Sequence, residues 1–237
     1  GSDAQLWRFV DAGDGKYYIQ SKLGTVLDVT SASAAAGTNV QTYTFNQSTA
    51  QKWTLLETEK TLYSIMGKTN VSVSQMVKFY KNKATVSYPY SNVSEAPTIE
   101  KFCQIYKEES EVEGVKAEVA FAQAMMETGF LKFGGDVKKD QYNFAGIGAI
   151  GGGSSGAKFD SIRIGIRAHV QHLKAYASKE ALKQPVVDPR FQYVKRGSAE
   201  YVQWLGQKEN PNGYGWATAK NYGNNIVKLY ILPMKKY

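Results

Sequence analysis

The first quarter of the chain alternates apolar and polar residues in the way that is typical of short β-strands. Polar turns separate four such segments, at 17–19, 26–29, 40–43 and 53–55. The tripeptide Gln5-Leu6-Trp7 recurs as Gln51-Lys52-Trp53 after 46 residues, a period in the range of stacked supersecondary units. We therefore predict an all-β segment over residues 1–57, with one complete repeat and the end of another.

After about residue 66 the apolar positions recur every three to four residues, which is the spacing of one face of a helix. This spacing predicts helices at 73–82, 98–111, 115–128, 162–177, 198–205 and 217–230. Ser161 and Ser198 stand where N-caps are expected, and Gly129 stands where a helix would stop. The segment 83–97 contains two prolines and is predicted to be an irregular connection.

The segment 117–129 is small and apolar on nearly every face, which indicates a helix surrounded by protein. Glu127 lies in its last turn, just before Gly129. The negative end of the helix dipole and apolar neighbours such as Met126 and Phe130 both disfavour ionisation of a carboxyl group. A Glu that keeps its proton near neutral pH is what glycosidic cleavage needs from a general acid. From this segment alone, the alternative is a solvent-facing Glu at a frayed helix end.

Three segments carry a resemblance to a known family. Residues 122–129 read Ala-Gln-Ala-Met-Met-Glu-Thr-Gly, and residues 142–149 read Tyr-Asn-Phe-Ala-Gly-Ile-Gly-Ala. In this order they resemble glycoside hydrolase family 73, the glucosaminidase domain of bacterial autolysins. The segment 216–226 is similar to that family's Tyr-Ala-Thr-Asp-Pro-x-Tyr-Gly-x-Lys-Ile, with Trp216 for the first aromatic and Ala219-Lys220 for Asp-Pro. The resemblance covers about residues 64 to 231.

This resemblance implies a mainly α, lysozyme-like catalytic domain with a small β-lobe over residues 58–237. It implies that Glu127 is the catalytic acid and that the segment around Asn143 lies in the cleft. The reaction would be hydrolysis of the β-1,4 bond between N-acetylglucosamine and N-acetylmuramic acid in peptidoglycan. A muramidase or lytic transglycosylase would share the helical Glu, and a wall-binding module without catalysis is the non-enzymatic alternative.

Aromatic and amide side chains surround the motifs of this family. Aromatic rings on loops suit the apolar faces of sugars, and an Asn side chain can bond an acetamido group. The predicted substrate-binding residues are Gln123, Tyr142, Asn143, Phe144, Tyr214, Trp216 and Tyr222. Taken singly, each of them could instead be a packing residue of the core or of its rim.

Asp160 is predicted to be the second catalytic group, in preference to Asp136 and Asp140. It follows the glycine-rich segment 146–156, whose closure over a glycan would bring the carboxylate across the sugar ring from Glu127. An inverting enzyme needs its base about 6.5–9.5 Å from the acid. Two alternatives stay open: Asp160 stabilises the start of the next helix, or the substrate's own acetamido group is the nucleophile.

The N-terminal segment resembles a repeat of the ricin-type β-trefoil lectins. The matching motifs are Leu27-Asp28-Val29, Val40-Gln41-Thr42-Tyr43 and Gln51-Lys52-Trp53. The resemblance implies that Asp28 holds a sugar and that Tyr43 stacks on it, although Ala50 stands where sugar-binding members carry Asn. The alternative is that the matched residues are architectural. Since a trefoil needs three repeats, we expect this partial trefoil to belong to a larger lectin domain.

Charge narrows the choice of partners. The net charge is +8, with −1 over residues 1–57 and +9 over residues 58–237. By charge alone, the basic part suits nucleic acid, an anionic membrane surface or the anionic bacterial wall. The resemblance selects peptidoglycan glycan strands and no nucleic acid. No apolar run approaches the roughly 20 residues of a membrane span. We expect a secreted, wall-associated monomer whose signal peptide lies outside a sequence that begins with Gly1-Ser2, typical of a protease scar.

Cysteine and histidine give little support to cofactor chemistry. Cys103 is the only cysteine and shares a helical face with apolar residues, so we predict a buried structural thiol rather than a nucleophile. His169 and His172 are the only histidines, and a zinc site would need a third ligand. We predict that they pack between helices. No metal and no cofactor are expected.

Overall fold

The computed structural model describes residues 2–55, 62–149 and 156–237. The chain divides into two compact units, Gly1–Thr61 and Leu62–Tyr237. The first holds an antiparallel sheet and the second holds the long helices, which confirms the predicted fold class. Within the described ranges, no helix has the length and apolar character that a membrane crossing requires.

The described part of the first unit contains five antiparallel strands. They are β1 (Trp7–Asp11), β2 (Lys16–Ser21), β3 (Val26–Val29), β4 (Val40–Tyr43) and β5 (Trp53–Thr54). The sheet order is β1-β2-β3-β4, and β5 pairs with β2. The sequence predicted every strand except β1. No residue of β1 is buried, but this does not explain the omission, because β4 and β5 were predicted and contain no buried residue either.

The residues of the lectin-like motif hold this sheet together. Asp28 is buried, and it lies opposite Gln41 across β3 and β4. Its carboxylate accepts hydrogen bonds from Gln41 Nε2 at 3.2 Å and from Gln51 Nε2 at 3.1 Å. Trp53 Nε1 donates to the Leu27 carbonyl at 3.1 Å. Because burying an unpaired carboxylate is costly, these contacts explain why Asp, Gln and the closing Trp occur together.

The second unit is built on four long helices in its described part. They are α1 (Val73–Lys83), α2 (Ile99–Glu113), α3 (Ala117–Thr128) and α4 (Ile162–Ala177). Ser72, Thr98 and Ser161 begin α1, α2 and α4, and each accepts a hydrogen bond from the backbone N–H three residues on. This confirms the N-cap predicted at Ser161.

The predicted helix at 198–205 is wrong in length and type. The structure has only a 3₁₀ turn at Val202–Leu205. Ser198 does not cap a helix, and its buried hydroxyl has no partner among the described residues. Tyr201, just before the turn, is in extended backbone and forms an isolated β-bridge with Ser64, which excludes a continuous helix from residue 198.

The predicted helix at 217–230 begins later and ends later. Asn221 has a φ of 61°, and such a left-handed residue cannot lie within an α-helix. Helical structure starts after it. The elements are α5 (Tyr222–Asn225), a π-helical segment (Ile226–Ile231) and α6 (Leu232–Met234). Pro233, which has no N–H to donate, lies at the start of α6.

Helix α3 lies at the centre of the second unit, and ten of its twelve residues are buried. This confirms a helix that is surrounded by protein. Aromatic rings of Phe102, Tyr106, Phe121 and Phe144 pack in the same core. Cys103 is fully buried there, and burial raises the pKa of its thiol, as expected for a structural cysteine.

Strand pairing in the described part of the second unit is limited to three isolated bridges. They join Ser64 to Tyr201, Met66 to Val115, and Gly206 to Ala217. The glycine-rich segment in which we expected a mobile lobe, 146–156, includes residues 150–155, which lie outside the described residues.

Candidate active site

Glu127 is held in place by the way α3 ends. Gly129 adopts a φ of 57° and its N–H bonds back to the helix, including the Met125 carbonyl. The Thr128 hydroxyl accepts the N–H of Leu131 at 3.0 Å. These bonds end the helix at Thr128, one residue after Glu127, and confirm the glycine stop predicted at Gly129. The side chain of Glu127 therefore lies at a fixed helix end rather than at a frayed one.

A left-handed turn follows the helix. Phe130, Leu131 and Phe133 have φ values of 57°, 61° and 57°. Such values cost roughly 1–2 kcal/mol for a residue with a side chain, so this segment carries backbone strain. The strain is offset by burial of Leu131 and by packing of the Phe133 ring against Tyr90. The turn carries the chain along one wall of a cleft.

That cleft has a volume of about 260 Å³ and opens onto Glu127. The described residues that line it come from the end of α3, the turn after it and the loop around Asn143. They are Glu127, Thr128, Gly129, Phe133, Gly135, Asp136, Val137, Asn143, Gly146 and Ala149. Glu127 is an exposed residue that lines this cleft, and on the protein side its carboxyl group accepts a hydrogen bond from the Tyr222 hydroxyl.

The environment of Glu127 favours its protonated form. Burial raises the pKa of Glu127 above the ordinary 4.5, and a hydrogen bond from the Tyr222 hydroxyl opposes the rise without cancelling it. Burial and the charge of Glu127 in turn raise the pKa of Tyr222 and of Tyr230. Both phenols therefore stay protonated, and Tyr222 keeps a hydrogen to donate.

Tyr222 was predicted to bind substrate, but the structure places it against the acid. It is almost fully buried, and its hydroxyl donates to Glu127 Oε1. Gln123 was also predicted to bind substrate. It is fully buried on α3, and its Nε2 donates to Tyr222 Oη at 2.8 Å. Gln123 therefore acts behind the acid and not on the open face of the cleft, because no part of its side chain is exposed.

Asn143 lines the cleft but is not free to bond an acetamido group. Its Nδ2 donates to the carbonyls of Ile147 and Ala157 at 2.9 and 3.0 Å. Its Oδ1 accepts the N–H groups of Ile147 and Ala145 at 2.9 and 3.4 Å. Since both hydrogens and both lone pairs are used, Asn143 fixes the shape of this loop.

Phe144 and Tyr142 anchor the same loop to the core. Phe144 is fully buried, and its ring packs edge-on against Phe102 at 5.1 Å between centroids, so it cannot stack on a sugar. Tyr142 is half-buried and packs against Tyr90. The sequence recognised this loop correctly, but its side chains shape the site from behind.

Trp216 and Tyr214 differ in how far their rings are exposed and packed. Trp216 is half-buried, with the His172 ring edge-on to it at 4.7 Å between centroids and Tyr176 tilted against it. Tyr214 is exposed, and Lys195 Nζ donates to its hydroxyl at 2.7 Å. Neither is among the described residues that line the cleft at Glu127, so their contact with substrate stays a prediction.

The three candidate second carboxylates lie in different surroundings. Asp136 is half-buried and lines the cleft with Glu127. Asp160 is exposed just before the N-cap of α4 and is not among the described lining residues. Asp140 is exposed and faces Lys158 at 3.6 Å. Asp136 therefore shares the cleft with the acid, whereas the assignment of Asp160 stays a prediction.

The two histidines make separate buried contacts. His169 bonds to Gln123 and Tyr106, and His172 Nδ1 lies 2.6 Å from the Asp188 carboxylate. Among the described residues, no three His, Cys, Asp or Glu side chains converge on a position where they could hold a metal ion.

In the first unit, the carboxylate of Asp28 is already occupied by the Gln41 and Gln51 side chains. Tyr43 is 51% exposed on β4. A ring so exposed could stack on a sugar, whereas the bonds of Asp28 favour the architectural alternative. Sugar binding at these two residues stays a prediction.

The geometry defines a glycosidase type of site: a carboxyl group with a raised pKa, at a fixed helix end, facing a cleft. Residues 103–231 match the family model described as mannosyl-glycoprotein endo-beta-N-acetylglucosaminidase, and residues 3–86 match that of the ricin-type beta-trefoil lectin domain-like family. The first match covers more than half of the chain. The chain therefore belongs to the glucosaminidase family of glycoside hydrolases.

Two individual proteins are similar to the chain. One is a protein of Borreliella burgdorferi described as uncharacterized, which is 46% identical over 132 residues. That match covers 56% of this chain and 61% of the relative. The other is the crystal structure of S. aureus autolysin E in complex with the muropeptide NAM-L-Ala-D-iGlu, which is 20% identical. It has a TM-score of 0.47 and covers 74% of this chain and 72% of that chain.

Proposed function

We propose that the protein is a peptidoglycan hydrolase of the endo-β-N-acetylglucosaminidase type, with Glu127 as its general acid. The observation that carries this proposal is the Glu127 carboxyl group, whose pKa burial raises and whose open side faces the cleft. The net charge of +9 over residues 58–237 supports an anionic polymer as substrate. We further propose that the protein works as a monomer at the cell wall, outside the cell.

In the proposed reaction, protonated Glu127 donates its proton to the glycosidic oxygen as the β-1,4 bond breaks. The carboxylate that forms keeps the hydrogen bond from the Tyr222 hydroxyl, which stabilises its new charge. General acid catalysis of this kind contributes about 10²–10⁴-fold to the rate. The bond cleaved would be the one on the reducing side of N-acetylglucosamine.

The group that completes the reaction has three candidates. Asp160 is the choice from the sequence, and Asp136 competes with it because Asp136 lines the cleft. The third candidate is the acetamido group of the substrate. Asn variants of Asp160 and Asp136 decide between them, with Asp140→Asn as a control at an exposed carboxylate. Loss of turnover in one variant with an inverted product anomer by NMR identifies the base, and retention of configuration supports the acetamido group.

Analysis of reduced products tests the function itself. Purified peptidoglycan is digested with the wild-type protein and with Glu127→Gln, reduced with borohydride and examined by mass spectrometry. We expect reduced N-acetylglucosamine ends from the wild type and a loss of at least about 10²-fold in the variant. Reduced N-acetylmuramic acid ends would indicate a muramidase, and anhydro ends a lytic transglycosylase. Near-normal cleavage by a folded Glu127→Gln protein would exclude Glu127 as the acid.

A second candidate substrate follows from the description of the matched family, which names a mannosyl-glycoprotein. An endo-β-N-acetylglucosaminidase of this description would cleave within the glycan of a mannosyl-glycoprotein. The same two proteins should be incubated with a glycopeptide that bears such a glycan. Release of its glycan by the wild type, without cleavage of peptidoglycan, would favour this second candidate.

A further inference from the structure

A buried chain of hydrogen bonds runs from Glu127 to the centre of the core. Tyr222 donates to Glu127, and Gln123 Nε2 lies 2.8 Å from Tyr222 Oη. Gln123 Oε1 lies 2.8 Å from His169 Nε2, and His169 Nδ1 lies 3.1 Å from Tyr106 Oη. Gln123, His169 and Tyr106 have no exposed surface. None of these three touches the cleft, and the reaction as proposed so far uses none of them.

The hydrogen bonds of this buried chain all run in one direction. Because the amide nitrogen of Gln123 faces Tyr222, its amide oxygen faces His169 and must accept. His169 therefore carries its hydrogen on Nε2, and its Nδ1 accepts from the Tyr106 hydroxyl. Every donor in the chain thus points towards Glu127. In the opposite arrangement, the Gln123 oxygen would accept from Tyr222, and Glu127 would lose its donor.

The titratable groups of this hydrogen-bond chain keep one protonation state. Burial lowers the pKa of His169 to about 3, with a smaller contribution from His172, so the ring is neutral over the working range of a glycosidase. Burial raises the pKa of Tyr106 well above its ordinary value. A neutral histidine has one donor and one acceptor nitrogen, and this is the property that fixes the orientation of Gln123.

We propose that Gln123, His169 and Tyr106 are positioning residues that keep the Tyr222 hydroxyl as a permanent donor to Glu127. Gln123 occupies an acceptor position of Tyr222, so that the phenol hydrogen is left for the carboxyl group. His169 and Tyr106 keep Gln123 from turning over. This proposal rests on the proposed role of Glu127, since only an acid that becomes charged during turnover benefits from a fixed donor.

The groups that face Glu127 determine how its pKa would change if the hydrogen-bond chain were lost. They are Tyr222 from α5, Tyr230 from the π-helical segment and Asp136 from the cleft loop. Of these, Tyr222 stabilises the charged form. If Tyr222 no longer donates, the pKa of Glu127 rises. An acid catalyst is active while protonated, so the fall of activity at high pH moves to higher pH.

The direct test is the pKa of Glu127, measured by NMR of carboxyl carbons in ¹³C-labelled protein, with Glu127→Gln identifying the signal. The variants are Gln123→Met and His169→Leu, which remove the polar groups, and Tyr106→Phe, which removes one oxygen atom. We expect the pKa of Glu127 to rise by about one unit in His169→Leu, where Gln123 can turn over and accept from Tyr222. The rise should be smaller in Gln123→Met, which only removes the N–H that polarises Tyr222, and in Tyr106→Phe. His169→Gln keeps an N–H near Gln123 and should restore part of the wild-type value.

Tyr80→Phe is the matched control. The Tyr80 hydroxyl is buried in the same core but has no hydrogen-bond partner among the described residues, so its removal should leave the pKa of Glu127 unchanged. Tyr106→Phe removes a single atom and is the variant expected to fold if the larger substitutions do not. The proposal would be overturned if a folded Tyr106→Phe protein had the same Glu127 pKa as Tyr80→Phe. An unchanged Glu127 pKa in Gln123→Met would overturn it as well.

Kinetics separate this proposal from the proposed function. In the Gln123, His169 and Tyr106 variants we expect kcat to fall by up to about ten-fold with KM unchanged. The high-pH limb of kcat/KM, which reports the free enzyme, should move by the same interval as the NMR pKa. If Gln123, His169 and Tyr106 only stabilised the fold, their substitution would lower activity without moving the high-pH limb. This result would also overturn the proposal. A shifted pKa in a protein that cleaves no glycan would leave the positioning role in place and refute the proposed function.

Discussion

At the scale of single residues, Glu127 and Glu109 show how surroundings decide what a carboxyl group can do. Glu109 is buried and Glu127 is exposed at the cleft, yet the protein that surrounds each carboxyl group would by itself raise its pKa. Glu109 accepts hydrogen bonds from Arg167 and Arg163, which outweigh burial and hold its pKa below the ordinary range. Among the described residues, Glu127 accepts a hydrogen bond only from the neutral Tyr222 hydroxyl, so the effect of burial on its pKa prevails. The first is a structural anion, and the second is a proton donor.

The raised pKa of Glu127 has a consequence for stability. A carboxyl group whose pKa is higher in the folded than in the unfolded protein stabilises the fold fully below the unfolded value, and that contribution is lost as pH rises through the folded value. We therefore expect Glu127→Gln to gain stability relative to the wild type as pH rises above about 4.5. Urea unfolding of both proteins across this range measures the difference. A difference that does not change with pH would contradict a raised pKa.

The sequence predicted Glu127 but not its partners. A helix dipole and apolar neighbours are local, and both can be seen within a few residues of Glu127. Tyr222 lies 95 residues away and meets Glu127 only after the chain has folded back on α3. His169 was predicted to pack between helices, and nothing local indicates that its ring bonds to Gln123. Long-range polar contacts of this kind leave no periodic signal.

At the scale of elements, the helices with a strong apolar stripe were predicted closely, and the turns between them were not. The turn after α3 places Phe130 and Leu131 in left-handed backbone, where sequence rules expect glycine or asparagine. The start of α5 was missed because Asn221 interrupts a pattern that otherwise continues. Tertiary packing holds both conformations against local preference.

Gly165 in α4 should respond to substitution in the opposite sense to an ordinary helical glycine. Replacing a helical Gly with Ala normally stabilises by about 1 kcal/mol. Here the new Cβ would lie 1.8 Å from the Tyr142 carbonyl oxygen, which forces α4 away from the loop that shapes the cleft. We expect Gly165→Ala to destabilise by at least about 2 kcal/mol in urea unfolding.

Gly129→Ala is the control for this comparison. A Cβ at Gly129 would meet no atom within 4 Å, and the cost is limited to its φ of 57°. We expect a loss of about 1 kcal/mol. Equal losses at Gly129 and Gly165 would show that α4 has room to move.

The buried ion pair between α2 and α4 should be sensitive to the loss of one partner. Lys174 Nζ lies 2.9 Å from Glu113 Oε2, with both side chains fully buried. Glu113 also accepts the N–H groups of Lys183 and Gln184. We expect Lys174→Met to destabilise by about 3–5 kcal/mol, because it leaves a buried charge unpaired. Adding Glu113→Gln should recover part of that loss in urea unfolding, and purely additive losses would contradict a coupled pair.

At the scale of the whole molecule, the chain combines a lectin-like unit with a hydrolase unit. The sequence motifs identified both families, because each motif collects residues that contact one another, as Asp28 and Gln51 do. The boundary predicted after residue 57 stays a prediction, since the lectin-like match continues to residue 86. Composition does not determine a boundary when both sides of it are ordinary globular sequence.

Deletion of residues 1–57 should leave catalysis intact on soluble glycan fragments. Every hydrogen bond described for Glu127 and its supporting chain is made within Leu62–Tyr237. The measurement is turnover of soluble fragments by the shortened protein, with the same deletion in a Glu127→Gln background as the control. A shortened protein that folds but has no activity would show that the first unit supplies part of the active site.

The thiol of Cys103 can serve as a built-in probe of local opening of the fold. Its thiol is the only one in the chain, it is fully buried, and burial raises its pKa, so a thiol reagent cannot attack it in the closed protein. Labelling under native conditions can then proceed only through fluctuations that expose α2. Where labelling of the open form is slower than reclosing, its rate gives the free energy of those fluctuations without denaturant and without introducing a probe.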